Sequence, residues 1–176
     1  AYSAMNASEA SILKDGLADS VSLNPTSLAY HRFNREEDML GNFKGEQSNE
    51  DFLQASGNIG IVSTLLSEWY GPVDESVPYN ANPFLNSKYK LTDAIEISNS
   101  SYTKEEKINA IKQAILEYGA VTFSYYNARE TYYYNPKNET STNGVSHACT
   151  LIGWDDNIAS SSFLPGGGSQ NGGWLV

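Results

Sequence analysis

Apolar residues recur at helical spacing through the first half of the chain and gather into β-favouring runs in the second. That change of period restricts the fold to an α+β class with segregated halves. From Ala1 to about Leu17, the residues Tyr2, Met5, Ser8, Glu9, Ile12 and Leu13 lie on one helical face. The spacing predicts a helix stopped by Gly16 after Lys14. No capping residue precedes Ala1, so this helix is expected to begin upstream of it. Pro25 to Phe33 is a second short helical candidate, and Arg35 to Gly57, rich in charge and amides, reads as a surface loop. Ile59 to Tyr70 places Ile59, Val62, Leu65, Leu66 and Trp69 on one face, a third helix predicted to stop at Gly71-Pro72.

Pro78, Asn80, Asn82 and Pro83 mark turns and a seam between the halves. We therefore expect one domain over 1–176, with a helical lobe approximately over 1–85 and a β-rich lobe approximately over 86–176. Leu91 to Ser98 is a predicted strand, and Lys104 to Glu117 a predicted helix opened by a Thr103/Glu106 capping box. Ala120 to Tyr126, a short piece at Tyr132-Tyr133-Tyr134, and His147 to Trp154 come next as extended segments. After the Gly166-Gly167-Gly168 turn, Gly173 to Val176 starts a further strand.

At 176 residues, 40% hydrophobic and 18% charged, the chain can bury a core of ordinary size. Eleven basic residues against twenty-one acidic ones give a formal charge of −10 with no basic cluster, which argues against nucleic-acid binding. Cys149 is the only cysteine, so neither an intramolecular disulfide nor a thiolate metal site can form. No run of eighteen apolar residues is present, so no membrane span is expected. Asp155-Asp156-Asn157 offers oxygen ligands in a loop, as calcium requires, but lacks the alternating ligands and central glycine of a calcium loop. It reads as a solvated turn. Tyr125, Tyr126, Tyr132, Tyr133 and Tyr134 read as strand positions rather than a sugar-binding platform.

Of the two histidines, His31 lies in a helical stretch without a polar cluster around it, and nothing there suggests chemistry. His147 heads an apolar strand after Gly144-Val145-Ser146, where a side chain can face a cleft. The segment Ser146-His147-Ala148-Cys149-Thr150-Leu151-Ile152-Gly153-Trp154-Asp155 resembles the histidine strand of papain-like cysteine peptidases. That strand reads His-Ala, an apolar run, then Gly-Tyr or Gly-Trp. Other segments resemble the family in matching order. Ala1-Tyr2-Ser3-Ala4 resembles the residues just after the Cys-Trp pair of the nucleophile helix, and Gly57-Asn58 the Gly-Gly segment before the second helix. Tyr70-Gly71 and Pro78-Tyr79 keep the family's interval, and Gly172-Gly173-Trp174-Leu175-Val176 resembles the strand leading to its Lys-Asn-Ser-Trp-Gly motif. The match is weakest over 35–56 and 137–144. Within the family the chain is most similar to bacterial exported members with Gly-Trp-Asp-Asp after the histidine strand, some linked to cell-wall or lectin-like modules.

The resemblance implies a two-lobed papain-like fold and a thiolate-imidazole peptidase acting on peptide or protein substrates, without cofactor or metal, secreted or at a bacterial cell surface. It makes His147 the general base and assigns substrate contact to Gly57, Asn58, Ser146 and Ala148. Asn58 replaces a family glycine, and asparagine tolerates left-handed backbone better than other side chains. The nucleophilic cysteine would lie two residues before Ala1, the oxyanion-hole glutamine further upstream, and the orienting asparagine two residues beyond Val176. The chain by itself is therefore expected to be inactive. Cys149 is no substitute, because its Cβ would lie about 7 Å from that of His147 at ~3.3 Å per strand residue; it reads as a buried core residue. Trp154 either walls the cleft or packs in the core. The other reading is a non-catalytic papain-like module that binds peptide or glycan.

Overall fold

The first helix, α1 (Tyr2–Lys14), buries Met5 and Ile12, seven positions apart on one stripe. It ends in a Schellman motif: Leu17 N–H donates to Ile12 O (3.0 Å) and Gly16 N–H to Leu13 O (3.1 Å), with Gly16 at φ 66°. The stop lies where the glycine predicted it. This computed structural model describes residues 1–37, 51–55, 57–98, 100, 102–127, 132–136 and 146–176. Most of the predicted 35–57 loop and part of the Gly144-Val145-Ser146 turn lie outside the described residues. The chain divides into two compact units, Ala1–Ser98 and Asn99–Val176.

In the first unit α2 (Pro25–His31) begins where Asn24 Oδ1 accepts from Ser27 N–H (3.1 Å) and Pro25 takes the first helical position. Asn24 also ties α2 to the later chain: its N–H donates to Val73 O and its Nδ2 to Val77 O, each at 2.9 Å. Beyond it lie α3 (Ile59–Ser67) and the short α4 (Pro83–Asn86), capped by Asn58 and Asn82. Met5, Ile12, Leu23, Leu28, Leu65, Leu66 and Tyr70 form the core of this unit. Each such side chain contributes about 1.5–3 kcal/mol by leaving water.

Two elements depart from expectation here. Helix α3 stops at Ser67 rather than running to Tyr70. Tyr70 N–H donates to Leu65 O (3.0 Å) and Trp69 N–H to Leu66 O (3.1 Å), a second Schellman motif with Trp69 at φ 66° in the glycine position. Tyr70 lies beyond this turn in the same core cluster as Leu65 and Leu66. Residues 91–98 form no strand: Thr92 to Glu96 are exposed and no ladder partner lies beside them among the described residues.

The second unit opens with α5 (Lys104–Tyr118), which has the predicted capping box and a C-terminal Gly119 at φ 89°. Ile115 is buried, with Ile108, Ile111 and Ala114 half-buried on its face. Then β1 (Val121–Tyr125) pairs antiparallel with β2 (His147–Leu151), and β3 (Gly153–Asp155) with β4 (Gly173–Leu175). The predicted 147–154 strand is thus two strands. At Ile152 the chain changes partner, its N–H donating to Leu175 O (3.0 Å). Tyr134 forms a single parallel bridge with Leu164. Lys112 of α5 reaches Asp156 at 2.7 Å and stands 5.2 Å over the Trp154 ring, which ties the helix to the turn after β3. Helices with small antiparallel sheets make the chain α+β. None of the described helices is long and apolar enough to cross a membrane.

Candidate active site

Strand β2 begins at His147 because the residue before it is already held to β1. Ser146 N–H donates to Tyr125 O (3.1 Å), and Ser146 Oγ accepts from Asn127 N–H (3.0 Å). The Ser146 hydroxyl therefore serves the local backbone. In the ladder His147 stands opposite Tyr125, Ala148 opposite Ser124 and Cys149 opposite Phe123. Side chains alternate across the pleat, so His147, Tyr125, Cys149 and Phe123 share one face, and Ala148 and Ser124 the other.

The His147 side is aromatic. The Tyr125 and His147 rings meet in a T-shaped arrangement with centroids 5.7 Å apart. Tyr125 stacks on Phe123 (5.3 Å, 16° between planes) and leans against Tyr134 (5.9 Å). The Tyr134 hydroxyl donates to Tyr126 O (3.0 Å), so the outer ring of the cluster is also anchored. His147 is exposed, and its imidazole makes no protein hydrogen bond among the described residues. Burial, reinforced by charge and hydrogen-bond interaction with the Cys149 side chain, pushes the Tyr125 hydroxyl up to about 12. Cys149 is half-buried rather than enclosed.

Gly57 and Asn58 belong to the first unit. Asn58 Oδ1 accepts from Ile61 N–H (2.9 Å) as the N-cap of α3, with φ −142° and ψ 170°. Its backbone is extended, so the expected left-handed tolerance is not used. Gly57 is exposed and makes no backbone hydrogen bond among the described residues. An added Cβ at Gly57 would meet only Arg32 Nη1 at 3.6 Å, an ordinary contact.

The structure thus groups Ser146, His147 and Ala148 on one strand start and joins to them Tyr125 and Phe123, which in the sequence are plain strand residues. The alternation in Val121-Thr122-Phe123-Ser124-Tyr125 carries half of that information. The register that sets Tyr125 against His147 does not follow from it, because a one-residue slip would present the other face. Asp155 Oδ1 accepts from Asn157 N–H (2.8 Å) and Asp156 is paired with Lys112, so this acidic turn is closed on itself. Among the described residues no cluster of three histidine, cysteine or acidic side chains is arranged to hold a metal. A cavity of about 310 Å³ in the first unit, bordered by Tyr2, Asn6, Glu9 and Glu75, includes none of the expected site residues. Its carboxylates are already engaged, Glu9 by Leu23 N–H (2.7 Å) and Glu75 by the Ser22 hydroxyl (2.5 Å). Comparison with models of protein families, with curated proteins and with solved structures found no match.

Proposed function

We propose that the chain is a papain-like cysteine peptidase domain in which His147 is the general base toward a thiol supplied from outside these 176 residues. The observation that carries the reading is the state of His147. Its imidazole is exposed, sits at the first residue of an antiparallel strand, and makes no protein hydrogen bond among the described residues. A base must come within hydrogen-bond reach of the proton it takes, and an exposed ring is open to such an approach. In the proposed step the imidazole accepts the thiol proton, the thiolate attacks the peptide carbonyl, and the imidazolium returns the proton to the departing amine. The backbone of Gly57, without a partner among the described residues, supports recognition of an extended peptide as an added strand. By the same resemblance the domain works outside a bacterial cell.

The chain by itself is expected to show no thiol-dependent peptide hydrolysis. Cleavage sensitive to E-64 by the purified 176-residue chain would refute the placement of the nucleophile. With the flanking codons of the parent gene restored, hydrolysis is expected, and His147→Ala should lower it by about 10²–10⁴-fold. Unchanged turnover in that variant would remove His147 from the reaction.

A second reading, a peptide- or glycan-binding module without catalysis, is favoured by the same Gly57 backbone, which serves binding whether or not a thiolate exists. The parent gene's codon two positions before Ala1 separates the two: cysteine supports the peptidase, and serine, alanine or glycine supports the binder.

A further inference from the structure

An exposed imidazole with no protein hydrogen bond samples several side-chain rotamers unless packing selects one. Among the described residues the ring contact on His147 comes from Tyr125. Tyr125 is itself held by the stacked Phe123 ring and by the tilted Tyr134 ring. The ladder sets the two residues directly opposite each other, so the contact follows from register as well as from rotamer.

We infer that Tyr125 is a positioning residue for His147, holding the imidazole plane over the β1–β2 face through the T-shaped ring contact at 5.7 Å. The positioning role in catalysis rests on the reading of His147 as the base; the contact itself does not. The contact is made ring to ring, so the ring and not the hydroxyl acts on His147. Phenylalanine should therefore replace tyrosine here, and leucine should not.

The test uses the imidazole NMR signals of the intact chain, where two histidines give two readily separated sets. In the unsubstituted protein, cross-relaxation between the Tyr125 and His147 ring protons is expected, and its absence overturns the inference without any mutant. Tyr125→Leu should move the His147 ring protons toward free-imidazole positions, and Tyr125→Phe should leave them in place. His147 signals unmoved in a folded Tyr125→Leu protein would also overturn the inference. In the chain with flanking residues restored, Tyr125→Leu should lower kcat about two- to tenfold, the range of one aromatic pair, with KM unchanged and Tyr125→Phe restoring the rate. If His147→Ala abolishes hydrolysis but Tyr125→Leu has no effect on kcat, the positioning role fails and the catalytic reading survives. If the ring contact is seen and hydrolysis ignores His147→Ala, the catalytic reading fails and with it the positioning role, leaving a structural contact alone.

Discussion

The helical unit encloses its histidine, and the sheet-bearing unit presents its own to solvent. His31 is 0% exposed; its Nδ1–H donates to Ser27 O at 2.9 Å, and its ring packs on Tyr30 (5.1 Å) and Tyr70 (5.9 Å). That bond assigns the neutral tautomer with the proton on Nδ1. Nε2 is left buried without a partner among the described residues. A second proton would have to sit there, with no acceptor in reach among the described residues. His147 is exposed at the start of β2. Burial therefore marks the first ring as a packing element and exposure leaves the second open to a ligand, which is the opposite of ranking titratable groups by how unusual their surroundings are.

The largest expected effect breaks this contrast if it fails. His31→Ala should destabilise the protein by about 2–4 kcal/mol, because it opens a cavity in the core and removes the imidazole hydrogen bond to Ser27 O. His147→Ala should stay within about 0.5 kcal/mol of the parent in stability, as surface substitutions do. Denaturant unfolding of the two variants side by side checks this, and equal losses would mean that His147 too is structural.

Next comes the dependence on pH. Burial depresses the pKa of His31, and the Ser27 hydrogen bond and the charge of Glu36 only partly oppose it. Tyr30 and Tyr70 also face the ring, and Arg35 stands 5.0 Å over Tyr70 and is paired with Glu68. The unfolded chain protonates its histidine near 6.5 while the folded one resists. Stability contributed by His31 is therefore whole above that value and is lost as pH falls toward the depressed folded pKa. Unfolding free energies measured between about pH 7 and 5 should fall with acid, and His31→Gln should flatten that slope. A slope that survives His31→Gln unchanged would assign it elsewhere.

Local chemistry makes much of this legible in the sequence. The Thr103/Glu106 box, Gly16 and Pro25 each act through backbone groups a few residues away, so their helix ends follow from the sequence alone. The features that depart from expectation depend on partners distant in sequence. Helix α3 ends early in the turn closed by Tyr70 N–H on Leu65 O, with Tyr70 in the core, Ile152 changes strand because Leu175 accepts its N–H, and residues 91–98 lack a ladder to join among the described residues. His147 is visible as a candidate from its strand motif, whereas Tyr125 emerges only with the register. The burial of His31 is hidden for the same reason, since Tyr70 lies far along the chain.

A smaller effect concerns the two helix ends that close alike, one on glycine and one on tryptophan. Gly16 and Trp69 both stand at φ 66°, a conformation that disfavours a side chain by about 1 kcal/mol. Gly16→Ala should destabilise by about 1 kcal/mol or slightly more. Trp69→Gly should gain a similar amount, less what is lost as Lys90, 5.9 Å above the indole, leaves its ring. Thermal melts with opposite shifts would agree. A loss at Trp69→Gly would show that its half-exposed indole contributes packing beyond the cation contact.

The smallest expected effect tests whether an exposed candidate residue belongs with His31 or with His147. Asn58 is exposed, yet its side chain is committed to Ile61 N–H as the α3 cap. Asn58→Ala should therefore lower stability by about 1 kcal/mol, and Asn58→Gly by only a few tenths, since glycine is tolerated at this cap. If peptide is held by the backbone at Gly57 and Asn58, titration of an extended peptide into Asn58→Gly should give the parent's affinity. A marked loss of affinity in that stable variant would mean that the amide leaves its cap to hold ligand, and Asn58 would then be a recognition residue in its own right.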